Sequence, residues 1–155
     1  MIFAAFAALL TVGCSNSTEN EKETITDTFP QETEPMHGIE FSQYEKLDAL
    51  YLAFALQESG MDESAVSPCG KYVGCLQISE IMVREANRVL GEKLYTYDDR
   101  YDADCSYGMF KAVMEYHNPN LDIEKAINLW NGRAPQSYRD NVKAYFYANL
   151  ENFSR

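Results

Sequence analysis

Tyr44-Glu45-Lys46-Leu47-Asp48-Ala49-Leu50-Tyr51-Leu52-Ala53-Phe54-Ala55-Leu56-Gln57-Glu58-Ser59-Gly60 is the stretch that decides the fold. Counting back from Glu58 in steps of three and four meets Phe54, Tyr51, Leu47 and Tyr44. That is the period of an amphipathic helix, and it puts the acid on the apolar stripe. A carboxyl placed there loses hydration, which disfavours its charged form and lifts its pKa to about 6. Such a group still holds a proton near neutrality and is suited to general acid work.

Working outward, the first helix runs from near Phe41 to Ser59 and stops at Gly60. Ser79 is the expected N-cap of a second helix through Met82, Val83, Ala86, Val89 and Leu90 to Gly91. A third begins near Asp104 as its cap, buries Met109, Phe110, Val113 and Met114, and ends before Pro119. Asp122 caps a fourth, with Leu121 positioned to staple against Ala126, and Gly132 stops it. The fifth starts near Gln136 and buries Tyr138, Val142, Tyr145, Phe146 and Leu150. Lys71 to Gly74 is the one place for part of a small hairpin. The expected architecture is therefore mainly α, a compact domain of about five helices over residues 39–155.

The chain has 155 residues and a formal net charge of −11. Between Ser15 and Gly38 the sequence is polar, with Pro30 and Pro35 and few apolar residues, so it cannot bury enough surface to offset its ordering entropy. Glu19, Glu21, Glu23, Asp27, Glu32 and Glu34 stand there against Lys22, a net −5 of the −11. The remainder is acidic as well, which argues against nucleic acid as a partner.

Met1 to Val12 are apolar but for Thr11, too short to span a bilayer as a helix, and lead into Leu10-Thr11-Val12-Gly13-Cys14. This resembles a bacterial lipoprotein signal peptide with its lipobox. The resemblance implies a leader at 1–13, acylation of Cys14 and a lipidated, disordered acidic tether at 14–38. It also implies a membrane partner through the N-terminal lipid and a place in the bacterial cell envelope.

Gln57-Glu58-Ser59, then Ala65-Val66-Ser67-Pro68, then Gly74-Cys75-Leu76-Gln77-Ile78 together resemble the signature of the lytic transglycosylases with a lysozyme-like domain. Leu129-Trp130-Asn131-Gly132 and Tyr138 extend the likeness over about 80 residues in matching order. The resemblance implies cleavage of the β-1,4 bond between N-acetylmuramic acid and N-acetylglucosamine in the peptidoglycan strand, with 1,6-anhydro ends as product. It implies Glu58 as the catalytic acid/base, Ser59 hydrogen-bonded near it and Gln77 holding a sugar or its acetamido group. Trp130, Asn131 and Tyr138 would line the cleft, with Tyr138 orienting Glu58. No cofactor and no metal are implied. Trp130 stands where the family has Tyr, and Cys75-Leu76 where it has Leu-Met, so the shape of the saccharide subsite differs.

Two other readings use the same residues. A lysozyme-type muramidase needs a second carboxylate at a defined separation, for which Asp62, Glu63, Asp98, Asp99, Asp102 and Asp104 are available. A non-catalytic lipoprotein that binds peptidoglycan or an envelope partner would keep the fold without the chemistry. Asp102, Asp104 and Ser106 alternate like a calcium loop, but Gly108 falls one place late and Val113 stands where the closing Glu belongs. His37 and His117 are the only histidines, which leaves no zinc pair and no evident base for a nucleophile. Cys69 and Cys75 are close enough in sequence to close a short loop by a disulfide, and Cys105 is the alternative partner of either.

Overall fold

A computed structural model describes residues 40–154. The expectations for the leader, Cys14, the tether and His37 lie outside the described residues. Among the described residues the domain is mainly α, with five α-helices and a single two-stranded antiparallel hairpin. Among the described residues no helix is long and apolar enough to cross a membrane.

Helix α1 spans Gln43–Ser59. Ser42 and Glu45 form a capping box: the Glu45 amide donates to Ser42 Oγ at 3.2 Å and the Ser42 amide to Glu45 Oε2 at 2.7 Å. Two orphan amides are thereby satisfied, a gain of about 1 kcal/mol. Gly60 closes the helix in the left-handed region at φ 67°, where its amide reaches Leu56 O and the Met61 amide reaches Ala55 O, each at 3.1 Å. Leu47, Leu50, Phe54 and the small Ala49, Ala53 and Ala55 are buried, so neighbours approach α1 closely.

After α1 the chain forms β1 (Tyr72–Val73) and β2 (Ile78–Ser79), paired Tyr72 to Ser79 and Val73 to Ile78. Helix α2 (Glu80–Leu90) starts at its Ser79 cap and ends at Gly91, φ 76°. A 3-10 turn at Asp98–Tyr101, not expected from the sequence, leads into α3 (Ala103–His117). This turn corrects the cap of α3. It leaves Asp102 extended, at φ −95° and ψ 127°, and Asp102 Oδ1, not Asp104, accepts the Cys105 amide at 2.8 Å.

Helix α4 (Ile123–Trp130) has the expected Asp122 cap, with Leu121 and Ala126 buried in one cluster. It ends on Asn131 rather than Gly132. Helix α5 (Gln136–Phe153) follows Pro135 and packs on α1. Its buried line is Val142, Phe146 and Leu150, each four residues from the last. Tyr145 falls off that line and is 38 % exposed, contrary to expectation. Tyr44 is likewise outside the core, 70 % exposed, with the Lys111 ammonium over its ring.

The core centres on Phe54, which packs against Phe110 of α3 and Trp130 of α4 at ring separations of 5.8 and 5.5 Å. Phe110 and Trp130 meet edge-on at 5.3 Å. Three helices are therefore locked together one turn before Glu58.

Candidate active site

Glu58 lies in the last turn of α1, half-buried, at the junction of α1, α4 and α5. Tyr138, in the first turn of α5, donates its hydroxyl to Glu58 Oε1 at 2.5 Å. Desolvation pushes the Glu58 carboxyl up to about 7, against the lowering effect of donors on Tyr138 and Trp130. The Tyr138 hydroxyl is raised in turn by burial and by the charge of Glu58, so it stays a proton donor. Oε1 accepts from Tyr138, and the indole of Trp130 is a second donor to the same carboxyl.

Trp130 ends α4 and is 7 % exposed. Its ring belongs to the aromatic core, while its indole acts on Glu58. Asn131, equally buried, closes α4 with its amide on Ile127 O at 2.8 Å, and its carbonyl accepts from Ala134 at 2.9 Å. Its side-chain Oδ1 is buried with no hydrogen-bond partner.

Ser59 and Gln77 are placed differently. Ser59 Oγ donates to Cys75 O at 2.8 Å and accepts the Asp62 amide at 3.0 Å, so it ties the hairpin loop to α1 rather than bonding Glu58. Gln77 sits at φ 49° and spends its Nε2 on Ala65 O and Gly74 O, at 3.2 and 3.0 Å. Its Oε1 is the part left for a ligand. Gly74 is required where it stands: φ is 78°, and an added Cβ would lie 1.9 Å from Arg100 O.

Cys69, Cys75 and Cys105 are all free, which corrects the Cys69–Cys75 pairing. The reason is direction: Cys75 points inward, its Sγ 3.4 Å from the Tyr51 hydroxyl, while Cys69 is exposed on the turn beside Ser67. Two of the candidate second acids have local duties. Asp62 holds the Ser64 amide and hydroxyl at 2.8 and 2.6 Å, and Asp99 holds Thr96 in the same manner. His117 Nε2 meets Glu85 Oε1 at 2.6 Å, and Arg88 grips both oxygens of that carboxylate.

Sequence reasoning missed Arg100. It is 8 % exposed and bonds only backbone carbonyls, yet it stands in an acid-rich run, where an arginine reads as a solvated ion-pair partner. The half-buried bond from Tyr107 to Asp48, at 2.5 Å between α3 and α1, was also missed.

No protein-family model, curated protein or solved structure matches this chain. The site therefore stands on its own geometry.

Proposed function

We propose that residues 40–154 form a lytic transglycosylase domain with a lysozyme-like site, acting on the peptidoglycan glycan strand with Glu58 as its acid/base. The observation that carries the reading is the Glu58 carboxyl itself: half-buried, raised to about 7, one oxygen held by Tyr138. The protonated Glu58 carboxyl gives its proton to the glycosidic oxygen as the bond from the muramic acid C1 breaks. The carboxylate then takes the proton of the muramic acid 6-hydroxyl, whose oxygen bonds to C1 and closes the 1,6-anhydro ring. One carboxyl serves both steps, and no water is consumed. General acid–base help of this kind is worth about 10²–10⁴ in rate, roughly 3–5 kcal/mol.

The turn of Asp62 toward Ser64 favours this single-acid scheme over a two-carboxylate muramidase. The retained acid, held at a useful pKa, favours catalysis over a purely binding role. The leader-like 1–13 and Cys14 extend the proposal to a lipid-anchored protein of the bacterial cell envelope, for which Cys14→Ser should release the chain from the membrane fraction.

The test is digestion of purified peptidoglycan by the protein and by Glu58→Gln, with products read by mass spectrometry. Products about 18 Da lighter than hydrated muropeptides, absent with the variant, are expected. Hydrated reducing ends would instead establish a muramidase. No products with retained binding to sacculi would establish a binder.

A further inference from the structure

Arg100 is the one charged residue among the described residues that is buried. Its Nη1 donates to Lys71 O and to Ile78 O, each at 3.3 Å, and its Nε to Tyr97 O at 2.5 Å. Lys71 and Ile78 bracket the Tyr72–Gln77 segment, so a single guanidinium holds both sides of the hairpin mouth. The backbone of the same residue supports the segment from behind. Arg100 O receives the Ser106 hydroxyl from α3 at 3.1 Å and lies where a side chain on residue 74 would have to go.

Burying a guanidinium costs hydration, and these partners are neutral carbonyls. Charge-assisted bonds to three carbonyls offset that cost, and only the planar fork of arginine reaches all three; a lysine ammonium is a point charge on a flexible stem. The segment so held presents Gln77, whose carboxamide nitrogen is committed to Ala65 O and Gly74 O and whose oxygen is not.

We infer that Arg100 is a positioning residue for the Gly74–Gln77 loop, setting the affinity of the saccharide subsite without touching sugar or Glu58. This rests on reading the site as a peptidoglycan cleft. Tight placement of a ligand group depends on the shell behind it, so loosening that shell weakens binding before it touches the chemistry.

Arg100→Lys in the full chain tests it by two readouts. The first is amide hydrogen exchange at Gly74, bonded to Ala65 O at 2.8 Å, and at Gln77, bonded to Gly74 O at 3.0 Å. Exchange there should rise about tenfold or more while amides of α1 and α5 stay unchanged. The second is turnover of soluble uncross-linked peptidoglycan strands, where KM should rise about tenfold with kcat within about twofold and the pH profile unmoved. Ser106→Ala, which removes only the hydroxyl on Arg100 O, should act in the same direction more weakly and serves if the lysine variant does not fold. Unchanged exchange at the two amides, equal loosening of α1 and α5, or a fall in kcat at constant KM would overturn the inference. If the wild-type protein neither binds nor cleaves the strands, the proposed function fails, and exchange alone decides whether Arg100 holds the loop.

Discussion

Tyr138 Oη and Glu58 Oε1 lie 2.5 Å apart across 80 residues of sequence, joining the first turn of α5 to the last turn of α1. The bond does two things at once. It stabilises the carboxylate form, partly offsetting desolvation, and it restricts the rotation of the carboxyl about its own axis.

Tyr138→Phe should therefore separate positioning from acidity. Without the donor, the Glu58 pKa moves further up, so the alkaline limb of the activity profile shifts to higher pH. The rate at the optimum should fall roughly tenfold or more, because the carboxyl is free to rotate out of line. A pH–rate profile of the variant checks both. A limb that moves down, or does not move, contradicts the bond.

Gly74 and Gly70 make a matched pair for the hairpin loop. Both have positive φ, 78° and 70°, but a Cβ on Gly74 meets Arg100 O at 1.9 Å, whereas one on Gly70 meets nothing within 4 Å. Gly70→Ala should cost about 1 kcal/mol of backbone strain. Gly74→Ala should cost about 3 kcal/mol or more, since backbone must shift. Urea unfolding of both variants gives the comparison, and equal losses would refute the close approach.

Asp102→Ala should destabilise by about 1 kcal/mol and Asp104→Ala by only a few tenths, since only Asp102 accepts a cap hydrogen bond in α3. Thermal unfolding that ranks them the other way would restore Asp104 as the cap.

That misplaced cap shows where the sequence was legible. Gly60, Ser79, Gly91 and Asp122 act through bonds to residues at most four positions away, and each helix boundary they set was read from local chemistry; Ser42 caps α1 by the same chemistry but was not singled out. Asp102 and Asp104 have equal intrinsic capping power, and the choice falls to the 3-10 turn before them. The buried guanidinium of Arg100 ties that turn to the hairpin through Lys71 and Ile78, a tertiary contact with no periodic signal. Ser59 and Gln77 were visible as polar residues in a suggestive pattern, but their bonds run to carbonyls of Cys75, Ala65 and Gly74, whose directions depend on the folded loop. Glu58 on an apolar stripe was legible from spacing; its proximity to Tyr138 entered only through the family resemblance.

The three described thiols should label in a fixed order in the native protein. Cys69 is exposed, and its thiol is lowered by the Ser67 hydroxyl and the Lys71 amide, so it should react first. Burial and the neighbouring Asp102 raise Cys105, which should follow slowly. Cys75, 2 % exposed beneath the Tyr51 hydroxyl, should react only after unfolding. Quantitative alkylation with peptide mapping checks the order. A Cys69–Cys75 crosslinked peptide from protein handled without reductant would contradict it.

Glu58 also makes stability depend on pH, with a defined sign. Its folded carboxyl sits at about 7 against an ordinary 4.5, so between those values the folded chain keeps a proton that the unfolded chain releases. The stabilisation from that proton is complete below about 4.5 and is lost as pH rises through about 7. Glu58→Gln keeps the shape of the neutral acid and cannot ionise. The stability of the wild type relative to this variant should therefore decline across that window by about 2 kcal/mol and level off above it. The full shift would imply more, but the half-buried carboxyl retains some water. Activity should fall in the same range, because the group that leaves the folded state destabilised when it ionises is the acid the reaction needs protonated. Urea denaturation of both proteins from pH 4 to 9 makes the measurement. Parallel stability curves would mean that Glu58 titrates as an ordinary solvated carboxyl, and the proposed general acid would be lost with it.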